Sequence, residues 1–417
     1  MKKKLIGPFS QLLTLRSLPM YGALSDQQLE VIADGALVIE DDRITDMGKH
    51  AELLNRYVGE AEHILMSEPS VCTPAYVDCH THIAFAGNRA NDFALRNSGA
   101  SYLEIAEAGG GIWSTVLHTR SASLEELVTN ICLRAQSLMQ QGVTTIEVKS
   151  GYGLSVEQEI KILRAIQIAN QQVAADLLPT CLAAHMKPHD FKGSASAYLS
   201  EIATKLFPIL RDEHLARRID IFIEKSAFSL AEAEPYLLEA KRQGFDITVH
   251  ADQFTAGGSR LAIQVGAVSA DHLEASTARE VSLFAQSKTV AVALPGASMG
   301  LGSPYTDARD LLDQDACLAI ATDWNPGSAP MGQLMVQASV FAVAQKLSNA
   351  ELFAAITYRA AKALSLSDRG ILDIGMLADF CTYSTANYQN IPYLQGTLQP
   401  QQVWKNGECI YEKGGRP

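Results

Sequence analysis

Eight short runs rich in β-forming residues recur along the chain, and several are separated by segments with the apolar periodicity of helices. The runs span residues 75–80, 143–148, 177–184, 219–224, 245–250, 267–272, 290–294 and 317–322, and the clearest helical segments are 124–141, 157–171 and 230–243. The glycine fingerprint of a dinucleotide-binding turn is absent after the first run. This alternation predicts an α/β fold, a closed (β/α)₈ TIM-type barrel more than an open doubly wound sheet.

The two ends of the chain differ in pattern from this central part. Residues 1–66 and 370–417 carry short β-like runs with turns, such as residues 36–39 and 403–411. Neither end is long enough to form a stable sheet alone. We therefore predict that the ends pair into one small composite β-sandwich domain, and that residues 67–369 form the barrel.

The composition narrows the classes of function and of partner. The 417 residues are 47% hydrophobic, enough for a large core, and no run approaches the length of a membrane span. The net charge of −12 disfavours nucleic acid and anionic membranes as partners. Seven cysteines without a C-x-x-C pair indicate a reducing compartment and no disulfide framework. Gly7 and Pro8 interrupt the apolar start, so we expect a first strand and a cytoplasmic protein.

Residues with metal-binding side chains stand at the ends of several predicted strands. His80 and His82 end the first run, and alternation along a strand places both imidazoles on one face. His250, His272 and Asp323 end the fifth, sixth and eighth runs. Each alone is more often an ordinary hydrogen-bonded residue. Because catalytic groups of such barrels lie at the carboxyl ends of the strands, the set predicts one site.

Three imidazoles and a carboxylate with an open position suit Zn²⁺ or Fe²⁺. We predict one divalent metal per chain, with His80, His82, His250 and Asp323 as ligands. Such a metal lowers the pKa of a water molecule toward about 7 and polarises a carbonyl group. We assign to Asp323 the transfer of a proton from the attacking water to the leaving nitrogen. His272 is expected to stabilise the oxyanion or to assist this transfer.

Longer stretches of the chain carry a family resemblance. They are DCHTHIAFAGNRANDFALR (78–96), GGGIWSTVLHTR (109–120), GVTTIEVKSGYGL (142–154), LAAHMKPHDFKG (182–193), HADQF (250–254), SADHLE (269–274), ATDWNPGS (321–328) and GILDIGMLADF (370–380). Together they resemble the amidohydrolase superfamily and, within it, the imidazolonepropionases. The resemblance implies hydrolytic opening of 4-imidazolone-5-propanoate to N-formimino-L-glutamate in histidine degradation. It also makes a homodimer the expected assembly.

The resemblance extends to residues that would contact the small anionic heterocyclic substrate. These are Arg89, Tyr152, His185, Gln253, Asn325, Gly327 and Ser328. Arg89 follows the first run, where a bidentate contact with the propionate is possible, although a solvated loop arginine is the commoner case. Gln253 departs from the glutamate of many amidohydrolases, and an amide cannot transfer protons. A packed loop aromatic is the simpler explanation for Tyr152, and ordinary turn chemistry is the simpler one for Asn325, Gly327 and Ser328.

Three alternatives remain open at this point. A deaminase of the same superfamily acting on another small heterocycle would have glutamate at the position of Gln253. A cyclic amidase with two metals would need a lysine near the end of the fourth run, where Lys225 lies. The third alternative is a non-catalytic binding protein on a barrel scaffold. The intact set of three histidines and an aspartate argues against it, since such proteins usually lack one of the metal ligands.

Overall fold

The computed structural model describes residues 3–100, 104 and 109–414, and its strands form two eight-stranded sheets. The central sheet follows the chain in the order β13-β12-β11-β10-β9-β8-β7-β6, with neighbouring strands parallel. Its strands are β6 Tyr76–Asp78, β7 Val143–Lys149, β8 Asp176–Ala184, β9 Arg218–Ile221, β10 Asp246–Ala251, β11 Ser269–His272, β12 Val290–Ala293 and β13 Leu318–Ile320.

The sheet closes on itself just beyond its first and last strands. Thr81 and Trp324 form an isolated parallel bridge, and the Asp323 amide donates to the His80 carbonyl at 3.0 Å. The predicted (β/α)₈ barrel is therefore confirmed, although β6, β9 and β13 end two or three residues earlier than their runs predicted. The residues beyond β6 and β13 leave the regular ladder because they form the single bridge that closes the barrel.

Helices connect the barrel strands and cover the sheet. The three helices expected from apolar periodicity are present, and the cap of one is explicit: the Ser155 hydroxyl accepts from the Gln158 amide at the start of α5. The helices are α1 His50–Arg56, α2 Ala90–Asn97, α3 Gly111–Ser121, α4 Leu124–Met139, α5 Val156–Asn170, α6 Ala195–Asp212, α7 Leu230–Arg242, α8 Gly258–Val265, α9 Ala278–Phe284, α10 Pro295–Leu301, α11 Ala308–Asp313, α12 Leu334–Gln345, α13 Asn349–Ala355, α14 Tyr358–Ala363 and α15 Asn390–Tyr393, with a 3₁₀ turn at Asp26–Gln28.

The second sheet joins the two ends of the chain, as predicted for a composite domain. Its order is β16-β15-β14-β5-β1-β2-β3, with β4 beside β1. The strands are β1 Lys3–Leu13, β2 Val31–Glu40, β3 Arg43–Lys49, β4 Ala61–Leu65, β5 Val71–Pro74, β14 Phe380–Tyr383, β15 Gln402–Lys405 and β16 Glu408–Glu412. The antiparallel pairing of β5 with β14 links the ends. The sheet thus includes β5, beyond the proposed boundary at residue 66, while residues 1–2 and 415–417 lie outside the described part.

Two broader features of the described chain bear on the sequence expectations. Within residues 3–100, 104 and 109–414, no helix combines the length and the apolar character that a membrane crossing requires. The seven cysteines are all free, and most are buried.

Candidate active site

A cavity of about 580 Å³ opens at the carboxyl ends of the barrel strands. Loops after β6, β7 and β8 contribute Arg89, Tyr152 and His185 to its wall, while His250 and Asp323 lie at its base. We call His80, His82, His250 and Asp323 the floor of the site. The rim denotes the seven predicted substrate contacts, Arg89, Tyr152, His185, Gln253, Asn325, Gly327 and Ser328, and all seven line the cavity.

The four floor side chains converge on one point. His82 Nε2 lies 3.3 Å from His80 Nε2 and 3.2 Å from His250 Nε2. Asp323 Oδ1 lies 3.4 Å from Nε2 of both His80 and His82. All four side chains are buried. The strand-end spacing that suggested a common site thus places these donors within reach of a single ion.

Carboxylates behind the floor orient two of the imidazoles. His80 Nδ1 lies 2.7 Å from Asp271 Oδ2, and His250 Nδ1 lies 2.9 Å from Asp220 Oδ2. Since a carboxylate accepts, the Nδ1 atom of His80 donates to Asp271, and the Nε2 atoms of His80 and His250 are directed at the centre of the cluster. This arrangement, with a carboxylate on the second ring nitrogen of a ligand histidine, is common in metal sites.

The electrostatics of the floor favour positive charge at its centre. Burial and Lys149 lower the pKa of His80, but hydrogen bonds to Asp271 and Asp323 outweigh them and raise it to about 9. Burial would raise the pKa of Asp323, yet its contacts with His80 and His82 hold it well below the usual range. Three nitrogen donors and one ionised oxygen donor therefore fit a divalent cation, which would displace the His80 proton.

The second oxygen of Asp323 is held by a turn after β13. Asp323 Oδ2 accepts from Asn325 Nδ2 at 2.8 Å and lies 3.3 Å from Ser328 Oγ. Asn325 Oδ1 in turn accepts from the Gly327 and Ser328 amides at 2.7 and 2.8 Å. The Asn325 side chain and the Gly327 and Ser328 amides are therefore engaged within the turn.

His272 lies beside the floor. Its ring centroid is 5.3 Å from that of His250, and its Nδ1 is 3.4 Å from Glu274 Oε1. Ligand atoms of His80, His272 and Asp323 also come within 4.8 Å of one another. This position is compatible with the proton-transfer role, and it also makes His272 an additional candidate ligand.

Tyr152 and His185 form an aromatic wall next to His82. Their ring centroids lie 6.1 and 5.5 Å from the His82 ring, and 5.5 Å from each other. His185 Nδ1 donates to the Gly151 carbonyl at 3.0 Å. Burial, with His250 nearby, lowers the pKa of His185 to about 3. The imidazole is therefore neutral at physiological pH, and its Nε2 is an acceptor.

Two arginines line the cavity, Arg89 of the rim and Arg96, which was not predicted from the sequence. Arg89 Nε donates to Asp92 Oδ2 at 2.6 Å. Arg96 also lines the cavity, donates to the Gly300 carbonyl at 3.1 Å, and has its pKa lowered by burial and by Arg89. The missed signal was spacing: the two arginines stand seven positions apart along α2 and its cap, which is about two helical turns. Two guanidinium groups at one cavity favour an anionic ligand.

Four buried charged residues behind the floor also escaped sequence reasoning: Glu147, Lys149, Asp220 and Asp271. Their signal was a charge inside an apolar strand, and the two on β7 alternate in the way that places both on one face. Lys225, by contrast, is exposed and is not among the cavity-lining residues. A lysine that bridges two metals would have to reach the cavity, and Lys225 does not line it.

Comparisons with known proteins agree with this geometry. A family model described as the amidohydrolase family matches residues 105–411. An imidazolonepropionase from Bacillus cytotoxicus is 37% identical over 391 residues, covering 93% of this chain and 92% of the relative. Another from Alkaliphilus oremlandii is 36% identical over 391 residues and covers 93% of each chain. The chain belongs to the amidohydrolase family, in its imidazolonepropionase branch.

Several solved structures resemble this chain in fold at much lower sequence identity. A triazine hydrolase variant superposes with a TM-score of 0.74 at 14% identity, covering 99% of this chain and 95% of the other. An adenosine deaminase from Xanthomonas campestris, with bound zinc, gives 0.70 at 18% identity and covers 98% and 92%. At such identities the likeness establishes the fold alone, the barrel with its composite domain.

Proposed function

We propose that the chain hydrolyses 4-imidazolone-5-propanoate to N-formimino-L-glutamate, a step of histidine degradation. One observation of the structure carries the proposal: three imidazoles and a carboxylate converge at the base of a cavity that Arg89 and Arg96 also line. The imidazolonepropionase relatives, matched over almost their whole length, indicate which substrate to propose. The reaction breaks the ring amide C–N bond, gives the carbonyl carbon the oxygen of water, and leaves a proton on the nitrogen.

The proposed ligands of one Zn²⁺ or Fe²⁺ ion are the four floor residues. When bound, such an ion would make water acidic enough to attack at neutral pH and would polarise the ring carbonyl. Asp323 takes the proton of the attacking water and passes it to the leaving nitrogen. Its ionised state suits the first step, and its anchoring by Asn325 fixes its oxygens for both. His272, beside the floor, stabilises the developing oxyanion or shares the proton transfer.

The rim binds and orients the substrate. Arg89 pairs with the propionate, and Arg96 adds positive charge at the same end of the cavity. The neutral His185 accepts a hydrogen bond from the ring, while Tyr152 packs against its face. Gln253, half-buried at the cavity wall, hydrogen-bonds the ring without transferring protons. Asn325, Gly327 and Ser328 position Asp323 and complete the wall near it.

The test is a ring-opening assay with freshly prepared imidazolone propionate, with subtraction of the spontaneous decay. Elemental analysis of the same preparation should find one divalent metal per chain. We expect loss of turnover on chelation and recovery with Zn²⁺ or Fe²⁺. Two metals per chain, or turnover of aminated purines or triazines above that of the imidazolone, would contradict the proposal. Size measurement in solution tests the proposed homodimer, and the cytoplasm remains the proposed location.

A further inference from the structure

The barrel interior is divided into an apolar half and a charged half. Inward-facing residues of β6 and β12, such as Val77 and Val292, belong to a buried apolar cluster. The other half holds the buried side chains Glu147, Lys149, Asp220 and Asp271. Branched apolar residues usually fill such barrels, and buried charges are costly. The charged half therefore calls for an explanation beyond packing.

One ammonium group connects the charged side chains. Lys149 Nζ lies 2.7 Å from Glu147 Oε1, 2.9 Å from Asp220 Oδ2 and 3.9 Å from Asp271 Oδ2. The lysine side chain has no exposed surface, nor have those of Glu147 and Asp220. At these distances in a water-poor interior, the attraction between the ammonium group and the carboxylates is strong.

The same carboxylate oxygens hold the floor imidazoles. Asp220 Oδ2 is 2.9 Å from both Lys149 Nζ and His250 Nδ1. Asp271 Oδ2 is 2.7 Å from His80 Nδ1. Glu147 adds a third connection because its Oε2 accepts from the Thr81 amide, between the two histidines of the H-x-H segment, at 3.2 Å. The Lys149 ammonium group is thus linked through carboxylates to His80, to His250 and to the backbone between His80 and His82.

We propose that Lys149 is a positioning residue for the metal site. Its charge offsets the mutual repulsion of Asp220 and Asp271, so that both carboxylates stay close enough to hold His250 and His80 in the ligating orientation. The inference rests on the metal site of the proposed function and extends it to a residue that touches neither metal nor substrate. Partners of ligand histidines typically change metal affinity about 10- to 100-fold when they are altered.

The test is the affinity of Lys149→Met for Zn²⁺, measured by competition with a chelating dye. We expect binding about 10- to 100-fold weaker than in the unaltered protein. A second readout is the visible spectrum of the Co²⁺-loaded protein, which reports ligand geometry and should shift. If the unaltered protein binds Zn²⁺ and Lys149→Met binds it equally tightly with an unchanged spectrum, the inference fails while the proposed function stands. If the unaltered protein binds no metal, both fail.

Lys405 provides a matched control for the loss of a buried ion pair. Its Nζ lies 2.8 Å from Asp379 Oδ2 and 2.9 Å from Asp176 Oδ2, and its side chain is only 3% exposed. Lys405→Met should lower thermal stability without changing Zn²⁺ affinity or the Co²⁺ spectrum. An equal fall in affinity for both variants would assign Lys149 to general stability and overturn the proposal.

A charge-compensated variant separates charge from packing. Lys149→Met with Glu147→Gln removes one positive and one negative group together, so it should bind Zn²⁺ several-fold more tightly than Lys149→Met alone. Should the single variant fail to fold, recovery of a folded, Zn²⁺-binding protein by the double variant supports the charge role. Binding no tighter than in the single variant, or failure of both to fold, overturns it.

Discussion

The floor and the rim of the cavity are built on different physical principles. Floor side chains are buried, and carboxylates from neighbouring strands fix two of the imidazoles. Several rim residues are half-buried, and the rim residues lie in the segments that follow the barrel strands. Local bonds hold these segments, as Asn325 Oδ1 does by accepting from the Gly327 amide. The barrel strands therefore determine which ion can bind, whereas the loops determine which substrate can. Changes in the floor should affect metal and every substrate together, and changes in the rim should affect substrates selectively.

The largest expected effect follows from a floor substitution. His82→Ala removes the imidazole whose Nε2 lies within 3.4 Å of His80, His250 and Asp323. We expect loss of the bound metal and a fall in kcat/KM of about 1,000-fold or more, since a catalytic metal supplies several kcal/mol. Elemental analysis and the ring-opening assay measure the two effects. The exposed His214 provides the control, because His214→Ala should retain both. If His82→Ala retains its metal and its activity, the floor is not the metal site, and the distinction between floor and rim fails.

A rim substitution should separate substrate from metal. Arg89→Ala is expected to reduce kcat/KM for the anionic imidazolone by about 30- to 5,000-fold, or about 2–5 kcal/mol, because one partner of a desolvated charge pair is lost. Metal content should not change. A neutral imidazolone without the propionate should show almost no difference between the two proteins. Equal losses on both substrates would mean that Arg89, through Asp92, supports the loop instead.

A smaller loss of kcat/KM is expected from substitution of Gln253, another rim residue. Gln253→Leu keeps the approximate volume and removes the hydrogen bonds, so kcat/KM should fall by about 1–3 kcal/mol with metal content unchanged. Gln253→Glu introduces the glutamate expected of a deaminase and should have a modest effect, because the carboxylate can still accept from a ring N–H. If Gln253→Leu has unaltered kcat/KM, the residue does not contact the substrate.

The fold and the floor were accessible from the sequence for the same reason. Each barrel strand is a local apolar run, and each floor residue stands at the end of one, so the strand ends alone brought His80, His250 and Asp323 together. The strand lengths were less well predicted, because β6 and β13 give up their last residues to barrel closure, a contact between distant segments.

The partners of the floor were not accessible in this way. Asp220 and Asp271 lie on different strands, and only the closed barrel brings them to the Lys149 ammonium group. The turn after β13 shows the converse. Asn325 and Gly327 were predicted as substrate contacts, but the bonds that Asn325 makes to Asp323 and to the Gly327 amide were not predicted, because they depend on backbone torsions that sequence patterns do not specify.

The smallest expected effect concerns the pH dependence of stability at the rim. Burial, with the nearby His250, lowers the pKa of His185 from the ordinary value to about 3 in the folded protein. Between that pH and about 6.5, the unfolded chain therefore binds more protons at this position. The free energy of unfolding should fall as the pH decreases through this window, and His185 should contribute up to about 1.4 kcal/mol per pH unit. His185→Gln cannot take up the proton, so its stability should depend less steeply on pH.

Denaturant unfolding of both proteins between pH 4 and 7, each freed of metal by chelation, measures the difference. Parallel curves would show that His185 is protonated as readily in the folded protein as in the unfolded one, and the neutral acceptor assigned to the rim would be lost.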